Sequence, residues 1–201
     1  MPRRKDPDAL RPDHRIILEW IPPGAAVLDL GCGDGALLDL LVRRKGARVQ
    51  GVEIDEQAIY RCVARGLSVF HEDIDDGLSG YRDRSFDYVI LNQSLQQVRR
   101  VDEVLQEALR VGHRAILGFP NFAHYRARCQ LFFLGRTPVT PALPYEWHDT
   151  PNLHFLSIKD FKAYCRQRSI RIERDACIAG KHKVTFFPNL FAGLGLFLIS
   201  T

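Results

Sequence analysis

An α/β domain with a doubly wound, mostly parallel sheet, closed by an antiparallel C-terminal strand, is the fold this sequence predicts. Three observations predict it. Short apolar runs alternate with amphipathic stretches over residues 26–119, and strand–helix–strand units of that kind need crossovers, hence parallel strands covered on both faces. Glycines crowd the junction after the first run, the place where a doubly wound sheet binds ligands beyond its strand ends. The pattern breaks after Asn121 and returns as strand-like runs near the C-terminal end. The 201 residues, 46% hydrophobic and 26% charged, suffice for one domain over 1–201 with a core and leave little for a second.

The elements follow in order. Residues 26–30 (AVLDL) form a short buried strand, and 35–44 carry Leu37, Leu38, Leu41 and Val42 on one helical face. Residues 48–54 (RVQGVEI) are a second strand. Asp55 then caps a helix bearing Ala58, Ile59, Cys62 and Val63. Residues 67–70 make a third strand and 86–91 (FDYVIL) a fourth. Val101, Val104, Leu105, Ala108 and Leu109 fall at i, i+3, i+4, i+7 and i+8, a helix stripe. Residues 114–119 (RAILGF) are the fifth strand, and right-handed crossovers join them all. Residues 122–134 then look helical, and 135–156 form a Pro- and aromatic-rich excursion expected to be an inserted lid or docking segment. Ser157 and Asp160 have capping-box spacing ahead of a helix with Ile158, Phe161 and Cys165 inward. Residues 170–176 and 194–200 are the closing strands.

Composition excludes several classes. No apolar run is long enough to cross a bilayer. Residues 1–15 are charged without an apolar core, which is not a secretory signal; a flexible tail is expected over 1–12. Five cysteines (32, 62, 129, 165 and 177) form no Cys-x-x-Cys pair, so neither a disulfide framework nor a zinc site follows, and reduced thiols imply the cytoplasm. A net charge of +4, spread among acids, is not a nucleic-acid footprint.

The glycine-rich junction, residues 29–35 (DLGCGDG), carries the chemistry. Its spacing is Gly-x-Gly-x-Gly, with Asp29 and Asp34 beside Gly31, Gly33 and Gly35. A dinucleotide places a pyrophosphate at this turn with Gly-x-Gly-x-x-Gly spacing, and two flanking carboxylates repel it by an amount on the order of kcal/mol. S-adenosylmethionine (SAM) offers an ammonium and a sulfonium there instead, so the loop favours SAM. Glu53 ends the second strand 22 residues beyond Gly31, the position of an acid that accepts from ribose hydroxyls; a helix cap or surface carboxylate is its alternative. Asp73, after the third strand, suits an exocyclic adenine amine, with Ile74 as an apolar contact, although Glu72, Asp75 and Asp76 crowd the same turn.

These residues carry a family resemblance. Residues 27–35 (VLDLGCGDG), 51–55 (GVEID), 85–91 (SFDYVIL) and 104–111 (VLQEALRV) resemble the successive motifs of class I SAM-dependent methyltransferases, whose fold is Rossmann-like. A narrower likeness lies in 20–24 (WIPPG), 118–124 (GFPNFAH) and 143–154 (LPYEWHDTPNLH), which resemble the MetW family of methionine biosynthesis proteins. The resemblance implies a methyltransferase-like chain that binds SAM or S-adenosylhomocysteine and works with a MetX-like homoserine O-acyltransferase. It implies Asp29, Gly31, Gly33 and Gly35 at the methionine end, Glu53 at the ribose, Asp73 and Ile74 at the adenine, and Asn92 with Gln93 at the rim, with Cys32 and Ile54 also among the cofactor-binding residues.

No catalytic residue emerges. Nucleic-acid amino methyltransferases place an Asn/Asp-Pro-Pro-aromatic motif after the fourth strand, where this chain has 91–94 (LNQS). His124, Tyr125, Tyr145, His148 and His154 are candidates for lining an acceptor pocket, and the spacing of His148, Asp149 and His154 fits no single helix face for a metal. No Gly-x-Ser-x-Gly elbow occurs, so any acyl-transfer nucleophile comes from a partner. Two expectations result: a partner that supports or regulates an acyltransferase, and a SAM-dependent methyltransferase acting on a small carboxylate or hydroxyl.

Overall fold

The alternating runs build one eight-stranded sheet within residues 10–201, the part of the chain that the computed structural model describes. The elements are α1 (Pro12–Trp20), β1 (Ala26–Leu30), α2 (Ala36–Lys45), β2 (Arg48–Glu53), α3 (Glu56–Ala64), β3 (Val69–His71), β4 (Phe86–Asn92), α4 (Val101–Val111) and β5 (Gly112–Pro120). They continue as α5 (Tyr125–Cys129), α6 (Ile158–Gln167), β6 (Arg171–Ala179), β7 (His182–Lys183), α7 (Pro188–Phe191) and β8 (Leu194–Ser200). The strand order is β3-β2-β1-β4-β5-β8-β6-β7. β3, β2, β1, β4 and β5 are parallel, and β8, β6 and β7 pair antiparallel beyond them. The order reverses beside β1, which opens the ligand crevice of such a sheet between the carboxyl ends of β1 and β4.

Successive residues of each strand feed opposite faces. Leu28, Leu91, Leu117 and Phe197 meet Val104, Leu105 and Ala108 of α4 and Phe161 and Cys165 of α6. Val27, Ile90, Ile116 and Leu198 meet Ile16, Ile17 and Ile21 at α1 and Leu37 and Leu41 of α2 on the other face. Asp55 caps α3 by accepting from the Gln57 N–H at 2.9 Å, and the Ser157–Asp160 capping box opens α6.

Some expectations need correction. Val42 and Val63 do not point inward; they are 40% and 59% exposed, because α2 and α3 each cover the sheet with a narrower stripe than the apolar pattern suggests. β3 begins at Val69 and not at Leu67, whose N–H still closes the end of α3 on the Cys62 carbonyl. Instead of one helix over 122–134, α5 runs five residues and passes into a π-helix, Gln130–Leu134, while the Asn121 side chain, accepting through Oδ1 from the Ala123 N–H at 3.2 Å, holds the preceding turn. The two expected closing strands are β6 and β8, and the short β7 adds to them at the edge. Residues 1–9 of the expected tail lie outside the described residues, and Arg11 and Pro12 open α1, with proline suited to the first helical position.

Candidate functional site

The loop after β1 turns through three glycines of positive φ: Gly31 (77°), Gly33 (57°) and Gly35 (73°). At Gly31 a side chain is excluded twice over, because a Cβ would also stand 2.8 Å from Ser94 Cβ. Ser94, after β4, donates its hydroxyl to the Leu30 carbonyl at 2.7 Å and so ties the two strand ends together. Cys32 turns its thiol under the loop against Leu38, Cys62 and Leu67. Burial pushes the Cys32 thiol far up, with the Asp29 charge next, so the thiol stays neutral.

Glu53 is the organising acid. Its Oε2 accepts from the Gly33 N–H at 2.7 Å, and its Oε1 accepts from the N–H groups of Ile54 (2.9 Å) and Asp55 (3.0 Å). The carboxylate thus shapes the glycine loop and its own turn, and Ile54 beside it is 60% exposed. Asp73 holds the turn Ile74–Asp76 by accepting from the Asp75 N–H at 2.9 Å. Ile74 Cδ1 reaches within 3.5 Å of the Cβ position of Gly31, so these two expected ligand residues are neighbours. Asp75 accepts from the N–H groups of Arg99 and Arg100 and fixes this rim to the start of α4.

Asp29 behaves differently. It is 3% exposed, and its carboxylate makes no hydrogen bond among the described residues. Burial, and then the Glu53 charge, raise its pKa to about 7 against the pull of Arg11. A buried acid without a donor is an electrostatic deficit that an ammonium group would fill.

Local patterning hid one part of the site. The first turn of α1 docks on the end of β4: Asp13, 3% exposed, accepts from Arg11 Nε (3.2 Å), Asn92 Nδ2 (2.9 Å) and Gln93 Nε2 (3.1 Å). Burial works to raise the Asp13 pKa, but these hydrogen bonds and the Arg11 charge outweigh it and hold the carboxyl low. Gln93 sits at φ 66°, a left-handed conformation rare for its type, while Asn92 Oδ1 is buried without a partner among the described residues. His14 follows, 5% exposed, its pKa lowered to about 4 by burial against the charge of Asp13.

Beyond this rim lies a cavity of about 670 Å³ lined by Arg11, Asp13, Gln93, His124 and Tyr125 and, from the 135–156 segment, by Thr140, Pro141 and Ala142. His124 Nδ1 accepts from the Arg126 N–H at 3.3 Å as the cap of α5, and burial, then the Arg126 charge, lower its pKa. The five expected acceptor residues are not brought together. His154 lines a separate groove with Asp102 and Tyr164, while Tyr145 and His148 face solvent.

The comparisons with known proteins agree with this geometry. The family model for methionine biosynthesis protein MetW matches residues 11–199. The chain belongs to the MetW family. It is 40% identical over 175 residues to the bifunctional methionine biosynthesis protein MetXA/MetW of Rhodopirellula baltica, which covers 83% of this chain and 28% of that protein. The MetW-family chain thus spans under a third of that relative's length. Among solved structures it is similar to a SAM-dependent methyltransferase from Archaeoglobus fulgidus (TM-score 0.70, 16% identity, 94% of this chain and 91% of that one). It is also similar to a Haloferax volcanii complex of the Trm112 methyltransferase activator with a methyltransferase (TM-score 0.68, 18% identity, 92% and 87%). The fold is therefore that of the class I SAM-dependent methyltransferases. No helix among the described residues is long and apolar enough to cross a membrane.

Proposed function

We propose that this chain binds SAM or S-adenosylhomocysteine and serves as a partner that supports or regulates a MetX-like homoserine O-acyltransferase in methionine synthesis. The observation that carries the partner reading is the 40% identity to a relative whose single chain unites MetXA with MetW. In this reading Asp29 meets the ligand ammonium, and Gly31, Gly33, Gly35 and the Cys32 backbone surround the methionine end. Glu53 offers its remaining lone pairs to the ribose beside Ile54, Asp73 and Ile74 hold the adenine, and Asn92 and Gln93 form the rim. The 135–156 segment covers the neighbouring cavity. SAM, when bound, supplies an activated methyl group, but the role proposed for it here is that of a signal.

The test is acyl transfer to homoserine by the acyltransferase of the same genome, with and without this chain, and with SAM varied. Activity that rises with the chain and responds to SAM supports the reading; identical rates under all conditions overturn it. The roomy cavity beside the rim favours one second reading, methyl transfer to a small carboxylate or hydroxyl acceptor. Methyl-labelled SAM incubated with cell metabolites would then yield a labelled product and S-adenosylhomocysteine.

A further inference from the structure

Four places along the sheet order from β1, the surface between α6 and α7 has a charge pattern that the cofactor site does not use. Lys159, Lys162 and Arg166 stand at i, i+3 and i+7 on α6, one face of the helix. Together with Arg128 of α5 they line a groove of about 660 Å³ whose apolar lining includes Ile172, Phe187 and Leu190. Among the described residues no acidic side chain lines it. Lys162 pairs with Asp175 at 2.5 Å, and Arg128 donates Nε to the Ala123 carbonyl at 2.6 Å. Lys159 and Arg166 enter no ion pair among the described residues, so three of the four positive charges lack a carboxylate.

Among the described residues the apolar side of the groove is equally unpartnered. Phe187 holds a left-handed backbone at φ 42°, which an aromatic residue rarely adopts, and it is 62% exposed. Phe186 beside it is 70% exposed and meets its ring edge-on at 4.4 Å. A small anion would satisfy the cations and leave both rings in water. A protein segment bearing carboxylates and apolar side chains covers both at once, the combination of aromatic core and charged surround found at interfaces.

We infer that the α6–α7 groove is the docking site for an acidic, apolar-studded segment of the acyltransferase, an inference that rests on the partner reading above. Opposite charge steers the segment in, and Phe187 is its apolar anchor. The site lies apart from the glycine loop, so docking and SAM binding are separable by mutation.

The experiment measures association of the full chain with the acyltransferase of the same genome by biolayer interferometry, at low and high salt. The variants are K159E/K162E/R166E, the milder K159Q/R166Q, and F187A. We expect wild-type affinity to fall with salt. The triple reversal should weaken binding at least about 10-fold, with some loss of melting temperature because it also breaks the Lys162–Asp175 pair; the neutral pair and Phe187→Ala should weaken it several-fold with melting temperature unchanged, and SAM affinity should be unchanged in all three. Association by K159Q/R166Q and F187A equal to wild type would overturn the groove while leaving the partner reading standing. A wild-type chain that does not bind the acyltransferase overturns both. Tripolyphosphate that binds the groove without displacing the acyltransferase marks a small-anion site and also overturns the inference.

Discussion

Asp29→Asn turns the electrostatics of the crevice into a measurable slope. Burial, and then the Glu53 charge, push the carboxyl up to about 7 in the folded chain from its ordinary 3.8. A raised acid favours folding while protonated, so its contribution is full below about pH 4 and is lost as pH rises through 7. A displacement of about three pH units at 1.36 kcal/mol each is on the order of 4 kcal/mol. His14 works in the opposite sense. Its pKa falls from 6.5 to about 4 on burial, so its contribution is full above about 6.5 and is lost as pH falls towards 4, a span of roughly 3 kcal/mol. The two slopes nearly cancel, and wild-type stability should be almost flat between pH 5 and 7 as far as these groups decide it.

Asparagine at position 29 removes one slope and exposes the other. Relative to wild type, the variant should gain about 2–3 kcal/mol between pH 5 and pH 8, on the order of 5–10 °C in melting temperature for a chain of this size. Any fixed cost of burying the new amide adds equally at both pH values. The assay is urea or thermal unfolding at pH 5, 6, 7 and 8. A difference between variant and wild type that does not change with pH would refute the reasoning, because the Asp29 carboxyl would then not be desolvated. In the same variant SAM binding should fall, since the proposed partner of the ammonium is gone.

Other substitutions separate neighbouring causes. Gly33→Ala adds a Cβ with nothing within 4 Å and meets only the cost of φ 57°, about 1–2 kcal/mol; Gly31→Ala adds the 2.8 Å approach to Ser94 and should lose about 1–3 kcal/mol more in denaturant unfolding. Asp13→Ala strands the amide donors of Asn92 and Gln93 and should cost about 3 kcal/mol at pH 7. Because the Asp13 pKa is lowered, its stabilisation is full above the ordinary 3.8 and fades as pH falls from there through the folded value, so variant and wild type should start to converge only below 3.8 in acid unfolding. Glu53→Ala frees the Gly33, Ile54 and Asp55 N–H groups together; calorimetry should show SAM affinity falling by about 10-fold or more, with a stability loss of about 1–3 kcal/mol.

The sheet and the glycine loop were legible because their signals are local. Strand runs, the Gly-x-Gly-x-Gly spacing and the Ser157–Asp160 box each lie within a few residues, and Glu53 follows at a fixed offset set by one strand–helix–strand unit. The Arg11–Asp13–His14 corner was not legible, since it depends on α1 docking 79 and 80 residues away on Asn92 and Gln93. No periodicity records that pairing; a buried acid just inside a proline-started helix is its one trace. The dispersal of His124, Tyr145, His148 and His154 has the same origin, because the course of 135–156 is fixed by contacts such as the Leu153 and His154 N–H groups on the Gln96 carbonyl. The α6 cations were visible as letters, but their meaning depends on the α7 turn that sits opposite them.

Calorimetric titration of SAM into the chain, alone and with the purified homoserine acyltransferase, tests the central claim most directly. The account predicts saturable binding to the free chain and an affinity changed by at least about 5-fold in the complex, the signature of coupling between two sites. Absence of SAM binding, or an affinity identical with and without the acyltransferase, would contradict it.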